Sequence, residues 1–467
     1  MSRTRLALLA IFMLALGVRA AYVASDLHPN YRPWLYGGMA HDIVHDGHWF
    51  QINRSAVDFG FTLNSTGPMI EPPDDPQLKY ADAHPQWENE IGEPVGEPVV
   101  LAALWEITGS ERFLPDQILK LLLDSLVVLM VYRIAMRLFN RPRAALLAAG
   151  LYAIYPPLAW QVSSPTPDGW AVDFTIAIVA IYLEAIHSSH RWRWLILCGA
   201  TAGIGSFFRP AVLILPAVLA LATIPMTGWC EALRRGLTIS AVAFVVLIPW
   251  TIRNYEDFHG FYPVRSGGGQ VLWEGLGELP NNFGAHLSDE GTYHQVERVY
   301  PHIHYDSPAF DAILTRWAER AIKQHPVFYI ELVARRVLLA TVWSRGLSWM
   351  HGGTLSPATY GHGLLSYILH RPFDLLQMAV SPMTFLLAML SLVLTWRRWR
   401  REHLVLIAIV LFVIIPYLPF YLEFRYMLPS LFAYLLWIGL GADLLLERVS
   451  QRRLAGSSVI NLPNPAS

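Results

Sequence analysis

Apolar runs alternate with short arginine-bearing turns through most of this chain. Roughly 20 apolar residues carry a helix across the hydrocarbon core of a bilayer, and short loops rich in Lys and Arg stay on the cytoplasmic side. Arg3 and Arg5 precede the first run, Leu6 to Val23, and so put the N-terminus inside. A polar stretch to Glu97 lies outside, and the amphipathic piece Pro98 to Thr108 leads into a second span. That span ends at Arg133, Arg137, Arg141 and Arg143. The third run rises to Tyr155-Pro156-Pro157, and the fourth descends from Gly169 to His187, meeting His190, Arg191 and Arg193. Spans five and six flank Arg209-Pro210 at the outer side, and a seventh climbs from Arg234-Arg235 to Pro249-Trp250. A second polar region follows, to Pro372. The eighth span ends at Arg397, Arg398, Arg400 and Arg401, the ninth at Tyr417, and the tenth runs from Tyr426 to Glu447-Arg448. Arg452 and Arg453 hold the C-terminus inside, before a polar tail, 451–467.

The pattern therefore predicts an all-α polytopic membrane protein of about ten spans. One membrane domain covers 1–450, with two large extracytoplasmic regions, 24–97 and 253–372, that bear juxtamembrane helices. Arg at every inner turn agrees with an even number of spans and with both termini inside. Val18-Arg19-Ala20 has the small residues of a signal-peptidase site. Arg19 is out of place there, and retention of the segment is the expectation.

Composition sharpens this picture at two points. Hydrophobic residues make up 54% of the 467 and charged residues only 15%, against about 25% charged in soluble domains. With a mean hydropathy of +0.35, lipid is the expected solvent. The net charge of -1 carries no argument about nucleic acid, because the charges are segregated along the chain, and nucleic acid is not among the expected partners. The two cysteines, Cys198 and Cys230, lie in or beside apolar segments. Neither a disulfide framework nor a cysteine metal site is expected.

The polar chemistry gathers on the outer side. Asp26, His28, Asn30 and Arg32 follow the first span directly, and a surface helix is predicted from Trp34 to His45, ending near Gly47, with Leu35, Met39 and Ile43 on its apolar face. His41 and His45, with Asp42 and Asp46, repeat at helical spacing, which fits either a divalent-metal site or a polar helix face. His302 and His304 form a second such pair. The acids from Glu71 to Glu90 read as a solvated loop. Glu93 and Glu97 differ, because prolines stiffen Gly92-Glu93-Pro94-Val95-Gly96-Glu97-Pro98 where the chain re-enters the bilayer. They are candidates to face a cavity at membrane level.

Asp168 stands in the short outer loop between spans three and four, just ahead of the fourth, where the helix dipole favours a carboxylate, and Asp173 lies about one turn deeper in that span, a costly place for a charge. Arg209, Arg253 and Arg425 sit at outer ends of separate spans, against the positive-inside trend. Converged, they would grip phosphate oxygens bidentately. Singly, each would reach up to lipid headgroups.

Several segments in order resemble the GT-C glycosyltransferases, specifically bacterial relatives of the dolichyl-phosphate-mannose–protein mannosyltransferases and of the lipid A aminoarabinose transferases. Gly96-Glu97-Pro98-Val99-Val100-Leu101-Ala102-Ala103-Leu104-Trp105 is similar to that family's entry to its second span, and Phe208-Arg209-Pro210 to its Arg-Pro turn. Pro249-Trp250-Thr251-Ile252-Arg253-Asn254-Tyr255, then Gly260-Phe261-Tyr262-Pro263-Val264 and Leu272-Trp273, looks like its most recognisable stretch. Ala321-Ile322-Lys323-Gln324-His325-Pro326 with Arg335-Arg336 is similar to the amphipathic helix that follows. Glu423-Phe424-Arg425-Tyr426-Met427-Leu428-Pro429 resembles the terminal Glu-x-Arg-Tyr-x-x-Pro signature.

The resemblance implies transfer of a sugar, with inversion, from a polyprenyl-phosphate donor to a glycan, lipid or protein acceptor outside a bacterial inner membrane. An acid just after span one would act as base, and basic groups would stabilise the departing lipid phosphate. No cofactor is firmly implied, although a divalent cation is compatible. One departure stands out. The family's acid lies about eight residues before the Ala of the first-loop helix, and counting back from Ala40 reaches Arg32. Asp26 is then the candidate base, Asp168 the reserve, with Glu93 or Glu97 behind them. Arg209, Arg253, Tyr262, Glu423, Arg425 and Tyr426 complete the expected substrate site. The alternative is a lipid-linked sugar flippase or a non-catalytic scaffold in envelope-polysaccharide assembly, which the missing acid favours.

Overall fold

A computed structural model describes residues 3–25, 34–47, 51–53, 87–89, 91–163, 166–301, 303, 305, 307–342 and 372–460. Asp26, Arg32, His302 and His304 lie outside them. The described chain is helical except for one two-stranded antiparallel ribbon, β1 (Gln51–Asn53) against β2 (Trp87–Asn89), with Ile52 opposite Glu88.

The helices fall into a large bundle and a smaller helical cap with a core of its own. The bundle comprises α1 (Arg3–Ser25), α4 (Leu114–Phe139), α5 (Pro142–Ile154), α6 (Asp168–His187), α7 (Arg191–Ser206), α8 (Leu215–Ala222), α9 (Trp229–Phe258), α14 (Pro372–Thr395), α15 (Arg400–Ile414) and α16 (Leu431–Ile460). Beside it lie α2 (Trp34–His41), α3 (Gly96–Thr108), α10 (Gly268–Leu276), α11 (Asp289–Val299), α12 (Pro308–Gln324) and α13 (Pro326–Val342). Arg3–Ala24, Asp168–His187, Trp229–Phe258 and Arg425–Gln451 are long and apolar enough to cross a membrane. The chain is an integral membrane protein.

α4 is patterned inside out. Asp116, Gln117, Lys120, Asp124 and Ser125 are buried, while Ile118, Leu122, Leu126 and Leu129 are exposed. In water this arrangement would be costly on both faces. In lipid it is the stable one, since ionisable groups turn inward to find partners. The core beneath is rich in small residues. Gly199 and Gly203 of α7 sit one turn apart against α9. A Cβ added to Gly199 would stand 2.6 Å from Val242 Cβ, and one on Gly203 would stand 2.7 Å from Val246 Cβ. Glycine at both positions lets the two backbones close up, the packing that lipid-embedded helices rely on when the hydrophobic effect no longer drives them together.

Two elements differ in detail from the sequence reading. The first-loop helix ends as expected at Gly47 (φ 67°), but its last turn, Asp42–Asp46, is a π-turn. The seventh span does not stop at Pro249-Trp250. α9 continues through Pro249 to Phe258, where His259 closes it at φ 52°. Trp250, Thr251 and Asn254 are buried on that extension. Trp250 Nε1 donates to Val264 O at 2.8 Å and Asn254 Nδ2 to Tyr262 O at 2.8 Å. These bonds fasten the returning chain along the helix.

The smaller cap has its own core of Trp273, Leu276, Val296, Phe310, Ile313, Leu314, Ala318 and Leu332. Ser288 and Ser307 cap α11 and α12, accepting from the amides of Gly291 and Phe310, each at 3.1 Å. Arg336, fully buried on α13, ties the cap to the large bundle. It donates to Leu418 O (2.9 Å), Pro419 O (3.0 Å) and Gly275 O (2.6 Å), and pairs with Glu278 at 3.2 Å.

Candidate active site

Turns at one end of the bundle converge on one carboxylate. Asp168 begins α6 and is buried, 3% exposed. Arg209, carried on the Phe208-Arg209-Pro210 turn after α7, forms a close ion pair with it, and Arg425 Nη1 lies 3.8 Å from its second oxygen. Tyr426 backs both guanidinium groups, with Arg209 4.5 Å and Arg425 5.1 Å from its ring centroid. Tyr417 stacks on Tyr426 at 4.7 Å, and Tyr421 and Tyr426 share a hydroxyl–hydroxyl hydrogen bond of 3.2 Å. A small cavity of about 20 Å³ lies against this group between Asp168, Thr175, Arg209, Tyr417, Arg425 and Tyr426.

Around this centre the acids differ in accessibility. Glu423 pairs closely with Arg425, and its side chain is 32% exposed. Glu93 accepts from Tyr36 Oη at 3.2 Å and lies 3.8 Å from Arg265 Nη1, its side chain 18% exposed. The Asp168 side chain is 4% exposed. Asp168 is the fixed anchor of the arginines, whereas the acids at the rim are open to exchange with another anion.

Two further ionic groups lie deeper. Glu97, at the start of α3, accepts from Lys120 Nζ at 2.6 Å, and Lys120 also reaches Asp116 at 2.8 Å. All three are nearly inaccessible. One ammonium compensates only one of two carboxylates, so burial first, and then repulsion from Asp116, push the Glu97 carboxyl up to about 8 against the pull of Lys120. A carboxyl whose folded value is raised binds more protons folded than unfolded, so this group lowers stability as pH rises from its unfolded value towards 8. Thermal unfolding in detergent should show the melting temperature falling between pH 5 and 8, and Glu97→Gln should make that fall shallower. An unchanged slope in Glu97→Gln would mean that another group titrates.

The second deep group joins Arg19 of α1 closely to Asp124 of α4. Tyr152 Oη donates to Asp124 at 2.6 Å, and Arg19 Nη1 donates to Ala153 O at 2.9 Å. Asp173 faces the same cluster, close enough to feel the charges of Asp124 and Arg19. Its depth in the span thus reflects an internal ionic network rather than the outer site.

The sequence candidates therefore divide. Asp168, Arg209, Arg425, Tyr426 and Glu423 come together, with Glu93 joining through Arg265. Glu97 sits in its own triad. Arg253 pairs with Asp257 one turn on at 2.8 Å and donates to Asn254 Oδ1 at 3.1 Å, with Trp250 and Phe258 beside its guanidinium. Its place on the extension of α9, rather than at a span end, gives it these neighbours. Tyr262 is half-buried and uses its carbonyl to hold Asn254. Asp26 lies outside the described residues.

Sequence reading missed Arg265 and Glu274. Arg265 follows the Gly-Phe-Tyr-Pro-Val stretch by one residue and interacts electrostatically with Tyr36 and Tyr417, as Arg209 does. A cation in a polar outer region gives no signal by itself. Glu274 of α10 is buried and accepts from Gln270 Nε2 at 3.0 Å. Burial, and Asp289 beside it, push its carboxyl well above the ordinary range.

The family model described as dolichyl-phosphate-mannose-protein mannosyltransferase matches residues 93–252. An undecaprenyl phosphate-alpha-4-amino-4-deoxy-L-arabinose arabinosyl transferase of Pseudomonas paraeruginosa is 28% identical over 162 residues, 32% of this chain and 29% of its own length. Its namesake from Pseudomonas aeruginosa is 28% identical over 157 residues. The chain thus spans under a third of these curated relatives. The oligosaccharyltransferase of Archaeoglobus fulgidus overlays on 97% of this chain and 51% of its own with a TM-score of 0.54, at 13% identity. Its apo form overlays on 100% of this chain, again at a TM-score of 0.54. The chain shares its helical fold with that oligosaccharyltransferase.

Along the chain, the family match begins at Glu93 and ends one residue before Arg253. It therefore contains Glu97, Lys120, Asp168 and Arg209. Arg265, Glu423 and Arg425 lie beyond it and join the site only through the fold.

Proposed function

We propose that this protein transfers a sugar from a polyprenyl-phosphate donor to an acceptor on the non-cytoplasmic face of a membrane, spanning it about ten times with both termini inside. The single observation that carries the reading is the pair Arg209 and Arg425 held on Asp168 beside a small cavity at the ends of the spans. Two fixed guanidinium groups at that level suit the phosphate of a lipid carrier and the charge that grows on it as the glycosidic bond breaks. The names of the relatives, which act on or carry polyprenyl phosphates, support the donor class.

In this reading Asp168 is a positioning residue. It is buried in a close ion pair with Arg209 and faces Arg425, which fits it to hold the arginines in place. The base is then Asp26, directly after α1. A bacterial inner membrane is the expected location, with a glycan, lipid or protein hydroxyl as acceptor.

The flippase alternative requires a polar route through the bilayer. The deep ionic cluster is instead closed, with Arg19 0% exposed and Asp124 1%, and this favours transfer.

Transfer from radiolabelled polyprenyl-phosphate sugars by purified protein tests the proposal, with Asp26→Asn and Asp168→Asn beside wild type. Asp26→Asn should abolish turnover and keep donor binding, whereas Asp168→Asn should weaken both. Donor binding without turnover by wild type, across a broad panel of sugars and acceptors, would transfer the assignment to a flippase or scaffold.

A further inference from the structure

Away from the arginine site, three side chains with metal-binding donors meet on the outer face. His41 and His45 stand one turn apart where α2 passes into its π-turn, their rings 4.4 Å apart and tilted by 41°. Glu111 comes from the turn between α3 and α4, and its Oε1 lies 2.5 Å from His45 Nε2. One donor atom from each of the three residues falls within 4.8 Å of the others. We propose that His41, His45 and Glu111 bind a divalent cation of the zinc class.

Four features support this. The donors are two imidazoles and one carboxylate, a set that suits borderline first-row ions, whereas magnesium and calcium favour all-oxygen shells. Bonds of about 2.1 Å in a tetrahedral shell place donors roughly 3.4 Å apart, so small side-chain rotations close the set. The Asp42 carboxylate lies 3.7 Å from His41 Nδ1, on the side where a carboxylate orients a ligating imidazole and leaves Nε2 for the ion. The side chains of His41, His45 and Glu111 are 40%, 46% and 30% exposed, which leaves room for a water in the fourth position.

The frame behind these residues is rigid. Ala40 and Ile43 of α2 pack with Leu101, Ala102 and Trp105 of α3 and with Phe113. Trp105 Nε1 donates to Arg112 O at 2.9 Å, which fixes the turn that carries Glu111. Two ligands come from one segment and the third from a segment 66 residues away. A bound cation would clip the first-loop helix to the turn after α3. Tyr36, on the same helix, reaches Glu93 at the rim of the arginine site, so the clip would also steady that rim.

The test uses the full-length protein in detergent, stripped with a chelator and then dialysed against zinc or cobalt(II). Metal analysis should find one equivalent of zinc per chain, and the cobalt form should show visible absorption from nitrogen and oxygen ligands. His45→Ala and Glu111→Gln should each weaken binding at least tenfold, while their apo forms elute and melt as wild-type apo protein does. His294→Ala, which alters the exposed His294–Glu297 pair, should change nothing. Wild type that retains no zinc would overturn the proposal. So would zinc that remains at full occupancy in the His41→Ala, His45→Ala double variant.

Discussion

Replacing Arg209 with glutamine should weaken binding of a polyprenyl phosphate by about 30- to 100-fold, and Arg425→Gln by a similar factor. A charge-assisted hydrogen bond to a buried oxyanion is worth roughly 2–3 kcal/mol, and each 1.4 kcal/mol is about tenfold in affinity. Both arginines meet the same carboxylate, so their effects should not add. Glu423 belongs to the opposite class. It occupies Arg425 from the rim, where an arriving phosphate has to replace it, so Glu423→Gln should tighten binding or leave it unchanged. Arg253 is already paired with Asp257, and Arg253→Gln should stay within twofold of wild type. Isothermal titration in detergent measures all four. Equal losses in Arg253→Gln and Arg209→Gln would place the phosphate elsewhere.

The largest effect on stability should come from Arg19. Arg19→Met leaves Asp124 buried without its cation, and losing one partner of a buried pair typically costs about 3–5 kcal/mol. For a chain of this size that is a fall in melting temperature on the order of 10 °C. Removing both charges takes away the desolvation cost together with the attraction, so Arg19→Met with Asp124→Leu should recover most of the loss. Tyr152 and Asp173 remain in the pocket, and Tyr152 then lacks an acceptor, so recovery should stop short of wild type. Thermal unfolding of the four proteins in one detergent gives the coupling directly. A double variant no better than the worse single would show that the pair is not the unit of stability.

These two predictions draw on different parts of the sequence reading. Arg209 and Arg425 were legible because each is a cation at an outer span end, a position where topology gives no reason for one. Arg253 had the same signature yet belongs to a local pair. Nothing in a hydropathy profile shows that α9 runs on past Pro249, which carries Arg253 away from a span end. Arg265 had no signature at all, since arginine in a polar region is unremarkable until the fold brings it to Glu93. Arg19 looked misplaced for a cleavage site, but its partner Asp124 lies 105 residues away.

By itself the sequence determined that this is a helical membrane protein, where its apolar helices run and which residue types gather at one end of them. Those properties follow from local transfer energies and from charges next to span ends, both of which act over a few neighbouring residues. The pairing of Asp168 with Arg209 and Arg425, of Lys120 with two acids and of Arg19 with Asp124 was decided only by the tertiary structure. Each such pair offsets the cost of removing charge from water. Which partners meet depends on helices far apart in the chain packing side by side, and no local pattern encodes that.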